Sequence, residues 1–160
     1  MGKRMNVTVD GLRLIPLREI SDGRGSVLHL LRTDDIGFIR FGECYCSETL
    51  PGVVKAWKRH KSQTQNLAVP VGRLRLVVFD DRPASLTRGA LVVQELGRPD
   101  NYMRVIIPPG LWYGFSALGQ APALIVNCVD RIHDPLEIDR MPEDAADIPY
   151  RWMMQGSSRK

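Results

Sequence analysis

The stretch Asn66-Leu67-Ala68-Val69-Pro70-Val71-Gly72-Arg73-Leu74-Arg75-Leu76-Val77-Val78-Phe79-Asp80-Asp81-Arg82-Pro83 decides the fold class. It holds two short apolar runs, residues 66–71 and 74–79, and closes on a cluster of turn-forming residues. Runs of this length, rich in Val and Leu, fit strands and are too short for buried helices. The same grammar extends in both directions. Residues 27–31, 36–41 and 53–57 precede the stretch, and residues 90–96, 103–107 and 124–129 follow it. Turn signals separate them at Asp22-Gly23-Arg24-Gly25, Leu50-Pro51-Gly52, Gly97-Arg98-Pro99-Asp100-Asn101 and Pro108-Pro109-Gly110. About eight strand candidates at this spacing predict an all-β sandwich or barrel.

The chain has 160 residues, 44% of them hydrophobic and 25% charged, the balance of a single domain with a sizeable core. No apolar run reaches the roughly 20 residues that cross a bilayer, and the first residues lack the apolar stretch of a signal peptide. A cytoplasmic protein without membrane contact is therefore expected. Lys and Arg number 22 against 18 Asp and Glu, for a net charge of +4, which favours an anionic partner. The absence of a basic helix or of an aromatic-interleaved basic stretch argues against nucleic acid. Past Asp134-Pro135 the chain turns acidic and reads as a short helix or a loop, and residues 153–160 read as a flexible tail.

Three cysteines, Cys44, Cys46 and Cys128, form neither a Cys-x-x-Cys pair nor an even set, so no disulfide framework or structural zinc is expected. Cys44 and Cys46 share one face of any strand they occupy, as small half-buried side chains rather than a redox pair. The three histidines are isolated, so no metal is expected.

Polar side chains in otherwise apolar strands mark the candidate site, because burying them is costly unless something meets them. In residues 55–61, alternation sets Lys55, Trp57, Arg59 and Lys61 on one face and Ala56, Lys58 and His60 on the other. This is either a cationic wall facing an anionic ligand or a lysine-protected edge strand. Glu43, Tyr45, Ser47 and Thr49 likewise form one polar face, either lining a barrel that holds a hydrated ligand or turned to solvent.

Taken in order, these motifs resemble the dTDP-4-dehydrorhamnose 3,5-epimerase family. Asp22-x-Arg24-Gly25 is similar to its Asp-x-Arg-Gly turn. Glu43-x-Tyr45-x-Ser47-x-Thr49-x-x-Gly52-Val53-Val54-Lys55-Ala56-Trp57-Lys58 is similar to its Gln-x-Asn-x-Ser-x-Ser-x-x-Gly-Val-Leu-Arg-Gly-Leu-His. Asp80-Asp81-Arg82-Pro83-Ala84-Ser85-Leu86-Thr87-Arg88-Gly89 matches Asp-x-Arg-x-x-Ser-x-Thr-x-Gly, and Ile107-Pro108-Pro109-Gly110-Leu111-Trp112-Tyr113-Gly114-Phe115 parallels Ile-Pro-x-Gly-Phe-Ala-His-Gly-Phe. The resemblance spans residues 20–152. It implies a cupin-type jelly-roll barrel over residues 1–152, usually a homodimer, that epimerises a 4-keto deoxysugar nucleotide by enolisation without a cofactor.

The catalytic positions depart from the family pattern. Lys58 stands where the family has its proton-abstracting His, Tyr113 replaces a second His, and His133 or its neighbour Ile132 falls where the family has a proton-returning Tyr. The resemblance makes Lys58, Tyr113 and His133 the catalytic candidates and Arg24, His29, Glu43, Lys55, His60 and Gln65 the substrate-binding ones. A Lys base must lose about three units from its reference pKa near 10.4 to work at neutral pH, and neighbouring cations plus burial push that way. Two other readings stay open. One is a catalytically silent nucleotide-sugar-binding homologue. The other is a sugar 3,4-ketoisomerase, whose His-Ala-His-Lys is similar to Lys58-Arg59-His60-Lys61, with His60 at the second His.

Overall fold

The computed structural model describes residues 8–153. Twelve strands run in the order β1 (Arg13–Pro16), β2 (Glu19–Asp22), β3 (Gly25–Leu28), β4 (Glu43–Thr49), β5 (Val54–His60), β6 (Gln65–Val71), β7 (Arg73–Phe79), β8 (Leu91–Gly97), β9 (Met103–Ile107), β10 (Trp112–Ala117), β11 (Ala123–Val129) and β12 (Ile138–Arg140). The only other regular element among the described residues is a 3₁₀ turn, Pro135–Glu137. Two five-stranded antiparallel sheets form, β1-β9-β6-β11-β4 and β12-β5-β10-β7-β8, with β2 and β3 as a separate hairpin. The architecture is the expected all-β, cupin-like jelly roll.

The deciding stretch feeds both sheets. Gly72, at φ +75°, turns the chain from β6 in one sheet to β7 in the other, and a Cβ there would lie 2.3 Å from the Pro122 carbonyl oxygen. Alternation then fills one end of the sandwich with apolar side chains. Leu67, Val69, Val105, Ile107 and Ile125 from the first sheet meet Leu74, Leu76, Val78 and Phe115 from the second.

Residues 36–41 do not form the expected strand. They belong to an irregular crossing between β3 and β4, with Ile36, Ile39 and Phe41 exposed. Gly37 packs on Ile106 of β9, and the buried Arg104 of that strand donates to the Ile36 carbonyl, so this segment covers the sheet rather than joining it. The acidic segment past Pro135 is neither a helix nor a plain loop. A 3₁₀ turn capped by Asp134 leads into β12, which extends the second sheet beside β5. Beyond it the chain wraps the outer face of that sheet, where Ile148, Tyr150 and Trp152 pack with Trp57, Val77 and Trp112. The expected tail lies outside the described residues except for Met153.

Candidate functional site

β5 is an interior strand, flanked by β10 and β12, which removes the edge-strand reading of its lysines. Trp57 and Arg59 face outward. The Arg59 guanidinium lies 4.5 Å from the Trp112 ring centroid and pairs with Asp139 at 2.8 Å and Asp81 at 3.3 Å. Lys58 and His60 face inward, as alternation predicts. Lys55 departs from that alternation. The β5–β10 register slips between Tyr113↔Lys58 and Phe115↔Lys55, so three residues of β5 span two of β10. The slip carries Lys55 to the side of Lys58, where its Nζ donates to Ser47 Oγ at 3.3 Å and to the Glu48 carbonyl.

Two adjoining cavities, of about 410 and 350 Å3, share Lys58 and Arg140 as walls. The larger adds Lys55, Ser47 and Phe115, and the smaller adds Glu43, Tyr45, His60 and His133. The polar face of β4 therefore lines the barrel interior. Lys58 Nζ lies 5.2 Å from the Tyr113 ring centroid and 5.4 Å from that of Phe115, where the ring faces favour a cation. Burial, then the charges of Arg140 and Lys55, bring the Lys58 pKa from 10.5 down to about 8. Among the described residues, neither Lys58 nor Arg140 forms an ion pair with a carboxylate.

Behind Lys58 runs a hydrogen-bonded chain. His60 Nδ1 lies 2.8 Å from Glu137 Oε2, and its Nε2 lies 3.1 Å from the Tyr113 hydroxyl. Glu137 Oε1 accepts from the backbone N–H groups of Ser62 at 2.6 Å and Gln63 at 2.7 Å. Burial lowers the His60 pKa, against the raising pull of Glu137, and burial raises that of Tyr113 well above its ordinary value. A neutral His60 thus donates from Nδ1 to Glu137 and accepts the phenol proton at Nε2. Burial also pushes the Glu137 carboxyl up, but the Ser62 N–H, His60 and the Gln63 N–H outweigh it and the net shift is downward.

The facing wall is an amide network. Asn127 Nδ2 donates to the Tyr45 hydroxyl at 3.0 Å and to Gln65 Oε1 at 2.8 Å, and Gln65 Nε2 donates to Gln63 Oε1 at 2.8 Å. Gln65 is 1% exposed and reaches the cavities only through these partners.

Besides Gln65, the predicted residues fall into three groups. Lys55, Lys58, His60, Glu43 and His133 come together around the cavities, with His133 exposed at the rim. Tyr113 is 1% exposed and lines neither cavity, so its hydroxyl meets His60 rather than open space. Arg24 and His29 lie elsewhere. Arg24 pairs with Asp22 at 2.6 Å on the β2–β3 turn with its side chain 91% exposed, and His29 is fixed through its backbone to Arg18 and Tyr102.

Sequence reasoning missed Glu137, Arg140 and Asn127. The first two sit in the acidic segment, where only the Asp134-Pro135 turn signalled order, and nothing there indicated pairing with β5. Among the described residues, no cluster of three or more His, Cys, Asp or Glu is placed to hold a metal, and no helix is long and apolar enough to cross a membrane.

A family model described as dTDP-4-dehydrorhamnose 3,5-epimerase matches residues 6–160. A solved dTDP sugar isomerase from Desulfovibrio desulfuricans G20 is 51% identical, with a TM-score of 0.88 over 90% of this chain and 92% of that one. The spore coat polysaccharide biosynthesis protein SpsL of Bacillus subtilis strain 168 is 33% identical over 146 residues, 90% of this chain and 96% of its own length. The probable low-salt glycan biosynthesis epimerase Agl13 of Haloferax volcanii is 37% identical over 136 residues, 82% of this chain and 86% of its own length.

Proposed function

This chain belongs to the dTDP-4-dehydrorhamnose 3,5-epimerase family, an isomerase-class family of sugar epimerases, and we propose that its paired cavities bind a nucleoside-diphosphate 4-keto deoxysugar, whose ring carbon next to the ketone exchanges a proton with Lys58. The observation that carries the reading is Lys58 itself, an inward lysine with a pKa near 8 and no carboxylate partner among the described residues. At neutral pH a fraction of it is the free amine, able to take a proton, and the ammonium so formed lies beside the enolate oxygen it helps create. Lys55 and Arg140 supply positive charge for the diphosphate, Arg140 as a planar fork and Lys55 as a point charge. His133 lines the smaller cavity at its rim, and in this proposal it returns the proton. Glu137, His60 and Tyr113 form the hydrogen-bonded wall behind Lys58, with His60 neutral.

The reading takes the protein to be cytoplasmic and a homodimer. Support for the dimer comes from Arg24 and His29, which the family resemblance gives to the ligand and which line neither cavity of their own barrel. A second copy is the source of those contacts in this account.

The test is deuterium wash-in. The protein is incubated in deuterated buffer with a panel of dTDP-, UDP-, GDP- and CDP-linked 4-keto-6-deoxy sugars, and the C3 and C5 protons are followed by NMR. Exchange that disappears in Lys58→Ala supports the reading. Binding of a panel member without exchange at any carbon overturns it in favour of a silent binding homologue, and migration of the ketone overturns it in favour of a ketoisomerase.

A further inference from the structure

On the outer face of the first sheet, away from both cavities, Cys44 of β4 and Cys128 of β11 are direct cross-strand partners. Their sulfur atoms lie 3.0 Å apart. A disulfide needs a separation of about 2.05 Å, so a shift of about 1 Å between two side chains already aimed at each other closes the bond. Cys46 is on the same face, but it follows Cys44 by two residues on one strand, where side chains stand about 7 Å apart and do not bridge. The sequence suggests Cys44 and Cys46 as small half-buried side chains. In the structure both are exposed and the partner is Cys128, which is half-buried.

We propose that Cys44 and Cys128 form a thiol-oxidation site that closes to an intramolecular disulfide when a small-molecule disulfide such as oxidised glutathione reaches it. The exposed Cys44 reacts first. Its thiolate attacks one sulfur of oxidised glutathione, forms a mixed disulfide and releases glutathione thiolate. The Cys128 sulfur then attacks the Cys44 sulfur and expels the second glutathione, which takes up the Cys128 proton. Two protein thiols are oxidised and one oxidised glutathione is reduced to two glutathiones, so atoms and electrons balance. Burial and the neighbouring Cys44 sulfur raise the Cys128 pKa to about 12, which assigns the opening attack to Cys44 and the resolving step to Cys128.

The bond has a structural consequence. It ties β4, an edge strand among the described residues, to its sheet neighbour β11 across 84 residues of chain. Cys44 sits between Glu43 and Tyr45, which line the smaller cavity, so the staple fixes the strand that carries that wall.

The test uses the reduced full-length chain, oxidised glutathione, alkylation of the remaining thiols and peptide mass mapping. The expected result is loss of two of the three thiols, a mass lower by two hydrogens and a linked peptide pair containing Cys44 and Cys128. The thermal midpoint rises on oxidation and falls back with dithiothreitol. Cys46→Ser leaves the reaction intact, and Cys128→Ser stops it at a glutathione adduct on Cys44. A persistent adduct in the wild type, a Cys44–Cys46 linkage, or three free thiols after treatment each overturns the proposal.

Discussion

Arg140 stands directly opposite Lys58 in the β12–β5 ladder, so two cations form one cross-strand pair and share the walls of both cavities. Like charges directly opposite each other oppose folding, and here no carboxylate among the described residues pairs with either. The anionic ligand proposed above would neutralise this pair. Arg140→Gln is expected to weaken nucleotide-sugar binding about tenfold, the loss of one charge-assisted contact. Because Arg140 also lowers the Lys58 pKa, the same variant moves the alkaline rise of the pH–rate profile to higher pH. Isothermal titration calorimetry and a pH series check the two effects separately.

Lys58 costs the fold stability where it is charged. Its folded pKa of about 8 lies below the unfolded 10.5, so the unfolded chain binds more protons between those values and stability rises with pH across that window. Below pH 8 the penalty is present in full. Lys58→Met is therefore expected to raise the unfolding free energy at pH 7 by about 1–3 kcal/mol while abolishing exchange, and the gain shrinks as pH approaches 10.5. Urea titrations at pH 7 and pH 10 measure it.

The Glu137 carboxylate holds four donors: His60, the N–H groups of Ser62 and Gln63, and the Ser62 hydroxyl. Glu137→Gln leaves a shape of nearly the same size that no longer carries the charge. A loss of about 1–3 kcal/mol is expected. Since the Glu137 pKa is lowered in the fold, the wild-type advantage is fully present above the unfolded value of 4.5 and disappears as pH falls through the folded one. Thermal melts of both proteins between pH 3 and 7 follow that convergence.

Much of this architecture was readable from residues 66–83, because period-two alternation and a glycine at a tight turn are local signals. The shared side of Lys58 and His60 was equally legible, since both obey alternation, but the choice between an interior wall and a protected edge strand waited on β12 covering the far side of β5. Three features were not. Residues 36–41 carry a strand-like pattern, yet Arg104 and Ile106 use them as a cover, a tertiary choice that propensity does not encode. The slip that turns Lys55 inward depends on the β5–β10 register. Glu137 and Arg140 reach the site because β12 pairs with β5 across some 80 residues of chain, a long-range ladder that no local pattern announces.

If Arg24 serves the cavity of a second copy, two defective variants repair each other. Arg24→Ala and Lys58→Ala are each expected to lose most activity. Mixed after unfolding and refolding together, they form heterodimers with one intact site, and up to about a quarter of wild-type activity returns for random pairing. No recovery from proteins that are dimeric by light scattering contradicts the shared site.

If Lys58 moves the proton, the pH dependence of kcat/KM for deuterium wash-in at the carbon beside the ketone follows the titration of its amine. That ratio reports groups on the free enzyme. The account predicts a rise with an apparent pKa near 8 in the wild type, and in Lys58→Arg a loss of at least about a hundredfold with that rise absent. A Lys58→Arg enzyme that exchanges at the wild-type rate with the wild-type profile would contradict it.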